Sequence, residues 1–415
     1  MNIQSIEERA GAGERAEDEL ILCCARTSSD DEVVQRARSL LRKDLDWGYF
    51  LRTAGRHGVI PLVYSFLRRN AADCPPGEVM DSLRCHAQAV ARRSEVFTGE
   101  LVRLLGLFES GGLRPIPVKG PVLGADAYGD VSLREYSDLD ILFDKRDVLA
   151  AEDILVAQGY ALKSRRFFEG SPDGGGPGAR AVTSIMEVSL NYDIALVSPD
   201  GEVHVELHWR LFPWYFSRSH DLIGPLDQPE PGSFTGVMVN KLPVDTTIIF
   251  LCLHGAKHNW TELRWVCDVA ELVRSRPDIA WDSMIRRARA MGSGRSVALG
   301  LCLARDLFGS LLPRGVAEFI DRDPAVRAIA ALVRRHLFCA EDRPPSPMER
   351  CLPLLGNSTT ELLFQLRTKE RVRDKVRYCS GLLIGLVLEV GRVGLLQSRL
   401  RYLAGLLTKG RRHAS

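Results

Sequence analysis

The chain has 415 residues with 45% hydrophobic and 26% charged side chains and a formal charge of +2. That length is enough for two to three domains with real cores, the composition is ordinary for a soluble globular protein, and the charge is too small to mark a nucleic-acid binder. Ten scattered cysteines, with Cys23 and Cys24 adjacent and no C-x-x-C, give neither a zinc ribbon nor a disulfide framework. The N-terminus carries Glu7, Glu8, Glu14, Glu17 and Glu19 and no basic segment followed by an apolar core, so a secretory signal is not expected and a reducing cytoplasm fits best.

Residues 1–113 read as helical, with Leu101, Leu104, Leu105 and Phe108 at helical spacing before Gly111-Gly112 ends the run. Arg114 to Val118 predicts a short strand. Lys119-Gly120-Pro121 then predicts a turn with a cation at its edge, and Pro121 suits the first turn of a helix over Val122 to Tyr128. An anion could sit at such a turn.

The strongest signal follows, in Ser137-Asp138-Leu139-Asp140-Ile141-Leu142-Phe143. Residues i and i+2 of a strand share a face, so Ile141 and Phe143 can pack inward while both carboxylates project together. Two ionised carboxylates side by side repel unless a cation lies between them, and hard oxygen ligands suit Mg²⁺ or Mn²⁺. The bland alternative is a solvated strand end. With the preceding turn, however, the arrangement can hold a nucleoside triphosphate.

An amphipathic helix is predicted over Val148 to Gln158, stopping at Gly159, and Tyr160 opens another extended piece. Gly170 to Gly178 reads as a loop between strands. Tyr192 to Val197, an Asp200-Gly201 turn and Val203 to Trp209 read as a hairpin. Its second strand puts His204, Glu206 and His208 on one face. Glu206 is the candidate third carboxylate that a two-metal site would need. The strand period differs from the helical H-E-x-x-H spacing, so a zincin motif is absent, and solvated histidines with no role remain an alternative.

From Val244 to about residue 340 the periodicity is helical again. His254 and His258 lie four apart and could line a nucleotide pocket or simply edge the core. Arg264 and Asp268 read as a surface i,i+4 pair, and Trp260 and Trp265 as core. Pro344-Pro345-Ser346-Pro347 marks a linker. The basic segment from Arg367 to Arg412 is too interrupted to span a bilayer; it can pack on the core or make peripheral contact with an anionic membrane.

Val118-Lys119-Gly120, Arg134 ahead of Ser137 to Leu142, Gly159-Tyr160 and Val205-Glu206-Leu207-His208-Trp209 together resemble the bacterial uncharacterised nucleotidyltransferases of the DNA polymerase β-like superfamily. The resemblance extends to Leu45-Asp46-Trp47, to His57 through Leu62 and to His254 through Val269. It implies an α+β fold with a small mixed sheet between helical portions. The expected divisions are a helical region at 1–113, a nucleotidyltransferase-like core at 114–243, a helical region at 244–343 and a linker with basic helical segment at 344–415.

The resemblance also implies divalent ions and transfer of a nucleoside monophosphate from an NTP with pyrophosphate release. Asp138, Asp140 and Glu206 would be the metal ligands and catalytic carboxylates, with Lys119, Gly120, Arg134 and His258 at the nucleotide. The superfamily usually has Gly-Ser where Gly120-Pro121 stands, so Lys119 would serve as the point charge on phosphate. The acceptor, whether protein, peptide, sugar or small molecule, is not written in the chain. A D-x-D glycosyltransferase using a nucleotide sugar and a non-catalytic nucleotide- or partner-binding module are the competing readings.

Overall fold

Short alternating segments build the central sheet of the computed structural model, which describes residues 15–164, 192–216, 229–338 and 359–384. Strands β1 (Ile116–Pro117), β2 (Leu139–Leu142), β3 (Ala161–Ser164), β4 (Asp193–Val197) and β5 (His204–His208) lie in the order β1-β2-β5-β4-β3. Only β2 and β5 run parallel. Pro117, which has no N–H to donate, is tolerated because β1 is an edge strand. β6 (Glu230–Phe234) and β7 (Val237–Lys241) form a separate hairpin.

Helices α1 (Ala16–Cys24), α2 (Asp31–Leu40), α3 (Trp47–Arg56), α4 (Ile60–Asn70) and α5 (Gly77–Ser110) precede the sheet. Asp30 and Asp46 start α2 and α3 by accepting from the backbone N–H groups of Val33 and Tyr49. Within the sheet region are α6 (Gly120–Leu123) and α7 (Val148–Ala157). The helix predicted over Val122–Tyr128 therefore starts two residues earlier, and it widens into a π turn over Gly124–Tyr128. After the sheet come α8 (Val244–Lys257), α9 (Leu263–Ser275), α10 (Trp281–Ala290), α11 (Gly294–Phe308), α12 (Arg314–Asp321), α13 (Pro324–Phe338) and α14 (Thr359–Thr368), with residues 372–384 also helical. The fold is α+β, a small mixed sheet with helical flanks.

The period of two divides β2 and β5 between two cores. Leu139, Ile141, Val205 and Leu207 pack with Leu101, Leu104, Leu105 and Phe108 of α5 and with α7. Leu142, on the opposite face, joins the larger core, to which both the N-terminal helices and α8 to α13 contribute. Of the expected features, Gly170–Gly178, Pro344–Pro347 and residues 385–412 of the basic segment lie outside the described residues. No helix among the described residues is long and apolar enough to cross a membrane.

His57 fastens this shared core. It is fully buried just after α3; its Nε2 lies 2.9 Å from the Leu337 carbonyl of α13, and its Nδ1 accepts from the Leu263 N–H at 3.3 Å. One ring nitrogen donates and the other accepts, which requires the neutral imidazole. Burial, with the nearby Arg56 charge adding to it, lowers the His57 pKa to about 4. The unfolded chain, with its ordinary value of 6.5, takes up the proton first as the pH falls. The contribution of His57 is therefore complete above pH 6.5 and is lost as the pH falls toward 4, by roughly 3 kcal/mol. In urea unfolding at a series of pH values, His57→Gln is expected to lose less stability than wild type across that window. Equal losses would contradict the assignment.

Candidate active site

Strand register assembles the site. β2 and β5 pair so that Asp140 lies opposite Glu206 and Leu142 opposite His208. The polar residues of both strands share the face turned away from the α5 core. The Asp200-Gly201 turn delivers β5: Ser198 N–H donates to the Val203 carbonyl, and β4 pairs antiparallel back to Asp193 opposite His208. At the edge, Val118 N–H donates to the Asp140 carbonyl, which places Lys119 beside that carboxylate. Gly120 follows with φ of +59°, a left-handed turn that favours glycine.

Like charges opposite each other in a sheet repel, and two cations offset this here. Lys119 Nζ lies 2.9 Å from Asp140 Oδ2, and His208 Nε2 lies 2.9 Å from Asp140 Oδ1 and 3.4 Å from Glu206 Oε2. Burial would raise the Asp140 carboxyl, but the Lys119 charge and the His208 hydrogen bond hold it well below the usual carboxylate range. Burial would likewise depress His208, yet its bonds to Asp140 and Glu206 push it up to about 10. Asp138 is raised, first by burial and then by the Asp140 charge.

Among the described residues, the ligand atoms of Asp140, Glu206 and His208 all lie within 4.8 Å of one another. Asp138 lines the same cavity without belonging to that converging set. Asp140 Oδ2 and His208 Nδ1 are buried without a directed hydrogen bond, the Lys119 contact to Oδ2 being an ion pair of poor hydrogen-bond geometry. This donor set fits a divalent ion, because two carboxylate oxygens and an imidazole nitrogen lie close enough together to share one cation.

The cavity measures about 360 Å³ and is lined by all seven residues singled out in the sequence: Lys119, Gly120, Arg134, Asp138, Asp140, Glu206 and His258. His204 is not in its lining. It points from the same face of β5 toward the sheet edge, where its Nδ1 is 3.2 Å from Lys163 Nζ. The wall opposite the carboxylates comes from the end of α8 and the start of α9. His258 lies 4.7 Å from His254 and 5.0 Å from Trp265, ring centre to ring centre. Lys257 Nζ donates to Tyr192 Oη at 3.1 Å, and Tyr192 stacks on His208 with ring centres 6.0 Å apart.

This wall is held by an unusual turn. Asn259 and Trp260 have φ of 55° and 53°, which costs L residues roughly 1 kcal/mol or more apiece. Trp260 is fully buried, as expected of a core residue, and a Cβ on Gly255 would overlap its ring. Trp265 is core as well, but it also faces the cavity.

The expected Arg264–Asp268 surface pair is not formed. Arg264 Nε instead contacts Glu262 at 2.5 Å, and Asp268 is buried under Arg134, whose Nε and Nη2 bond its two oxygens at 2.7 and 2.9 Å. Tyr128 Oη, presented by the π turn, adds a 2.7 Å bond to Asp268. Helical spacing alone suggested the local partner; tertiary packing supplied the bidentate one. Arg134 thus lines the cavity with its fork committed to the scaffold. Asp268, Tyr192 and Lys257 were not expected in the site, although Lys257 and Asp268 lie in the stretch from His254 to Val269 that carries part of the resemblance.

The chain belongs to the family of uncharacterised nucleotidyltransferases, whose profile matches residues 43–309, more than half of its length. No curated protein and no solved structure matches it. The matched span contains every residue of the cavity, from Val118 to Trp265.

Asp268→Asn leaves the buried Arg134 charge without its counterion. It is expected to cost about 3–5 kcal/mol in urea unfolding. A loss under about 1 kcal/mol, the range of a surface pair, would contradict the buried assignment.

Proposed function

We propose that the chain transfers a nucleoside monophosphate from an NTP to an acceptor hydroxyl or similar oxygen, releasing pyrophosphate, with a divalent ion held by Asp140, Glu206 and His208. The observation that carries this reading is the convergence of those three side chains in the cavity of a nucleotidyltransferase-family chain. The family match also favours it over the glycosyltransferase alternative. The ion, when bound, offsets the charge of the phosphates and polarises them. An imidazole ligand beside two carboxylates suits Mn²⁺ better than Mg²⁺, which prefers oxygen alone.

The chain's own groups would do the rest. Lys119 and the Gly120 backbone face the phosphates in place of the serine that Pro121 replaces. Asp138 extends the acidic edge of the cavity. His258, against Trp265, flanks the nucleobase, while Arg134 holds the floor through Asp268. In the transfer step the acceptor oxygen forms a bond to the α-phosphorus as the bond to pyrophosphate breaks, and Glu206 takes the acceptor's proton. The cytoplasm supplies both NTP and divalent ions. The acceptor is a protein, peptide, sugar or small molecule.

Glu206→Gln keeps side-chain volume and removes charge, so it should harm transfer more than binding. Label transfer from α-labelled NTP in cell extracts that contain the acceptor, with pyrophosphate measured alongside, is expected to fall about 100-fold or more. NTP binding should survive within a few-fold. Undiminished transfer by Glu206→Gln would overturn the role of this carboxylate.

A further inference from the structure

The C-terminal helices lie beyond the span that the family profile matches, yet one of their side chains is built into the active-site wall. Gln365 of α14 is buried, and its Nε2 lies 2.7 Å from the Ala256 carbonyl, 3.1 Å from the Lys257 carbonyl and 2.7 Å from Asn259 Oδ1. These are the last carbonyls of α8 and the side chain of the first left-handed residue after it. A helix end leaves such carbonyls without intrahelical partners, and a buried one needs a donor. Here the Ala256 carbonyl also accepts the Asn259 N–H at 3.1 Å, and Gln365 adds a donor from about 100 residues away in sequence that reaches the Lys257 carbonyl as well.

The rest of the segment anchors α14 firmly. Arg295 of α11 donates to the carbonyls of Arg367 at 2.8 Å and Lys369 at 3.2 Å, its backbone N–H bonds Glu370, and Arg371 donates to the Arg289 carbonyl at 2.6 Å. Lys369 Nζ sits 3.7 Å from the centre of the Phe216 ring. Gln365 is therefore held by a rigid base.

We propose that Gln365 is a positioning residue for nucleotide binding: it clamps the strained Asn259-Trp260 turn and thereby sets Lys257 and His258 in the cavity. The inference rests on the nucleotidyl-transfer reading for its consequence, but its geometry does not. The path is continuous and short. Gln365 Nε2 shares its two N–H groups among the Ala256 carbonyl, Asn259 Oδ1 and, at 3.1 Å, the carbonyl of Lys257, whose Nζ bonds Tyr192 in the cavity wall. Each link is a contact with a definite distance, and the carboxylate end is set separately by strand pairing. Loss of the clamp should therefore disturb the nucleotide wall and spare the metal ligands.

Gln365→Met keeps the volume and removes the donor. In the full chain, Mn²⁺ binding measured by EPR should stay within about twofold of wild type, while affinity for Mn²⁺·ATP measured by calorimetry should fall about tenfold. Hydrogen exchange of residues 257–261 should quicken. Leu363→Gln, at an exposed position of α14, should change none of these. Asn259→Gly keeps the left-handed backbone and deletes only the side-chain acceptor, so it gives a folded background if Gln365→Met is unstable alone. In that background Gln365→Met should cost less ATP affinity than it does in wild type.

Unchanged ATP affinity and unchanged exchange in Gln365→Met would overturn the proposal, as would a parallel loss of Mn²⁺ binding, which would mark a general loosening. If wild type binds none of the four common NTPs, the nucleotide reading falls. Exchange at residues 257–261 in Gln365→Met then still decides whether the clamp exists.

Discussion

Parallel pairing of β2 with β5 places Asp140 directly opposite Glu206, and the rest of the site is organised around that electrostatic liability. Two carboxylates one strand apart on a buried face are tolerable only with positive charge between them. Lys119 arrives from the β1 edge and His208 from two residues along β5, and both contact Asp140 at 2.9 Å. The contact between His208 and Asp140 contributes to both the raised imidazole and the lowered carboxyl, the latter owing more to Lys119.

The scaffold holds that arrangement from both ends of the chain. Helices before the sheet and after it share one core, with His57 bridging α3, α9 and α13. Buried polar links recur wherever the cavity meets this core: Arg134 and Tyr128 on Asp268, and Gln365 on the end of α8. Each ties residues more than 100 positions apart. The cavity thus lies between a sheet face that supplies carboxylates and a helical wall that supplies aromatic and cationic groups.

Much of this was legible in the sequence because it is local. The period of two put Asp138 and Asp140 on one side and Leu139, Ile141 and Phe143 on the other, and the Asp200-Gly201 turn announced the β4–β5 hairpin. Glu206 could be singled out by alternation, though not its exact partner, since the register of parallel strands separated by 60-odd residues leaves no local trace. His208 shows the same limit. It was readable as a same-face neighbour of Glu206, but its place between two carboxylates depends on β2. Asp268 misled because helical spacing offers Arg264 as a partner, whereas a buried carboxylate takes whichever guanidinium packing brings with bidentate geometry. The Gln365 clamp has no sequence signature at all, since any donor of that reach on α14 reads as a polar residue of an amphipathic helix.

The proposed function depends on Asp140, Glu206 and His208 together holding one divalent ion. Pulsed EPR of the Mn²⁺-loaded protein tests it most directly, because an imidazole nitrogen bound to Mn²⁺ gives a hyperfine coupling that carboxylate ligands do not. Bound Mn²⁺ with one such coupling is expected in wild type, retained in His204→Gln and abolished in His208→Gln. Mn²⁺ bound without nitrogen coupling, or the same coupling in His208→Gln, would contradict it.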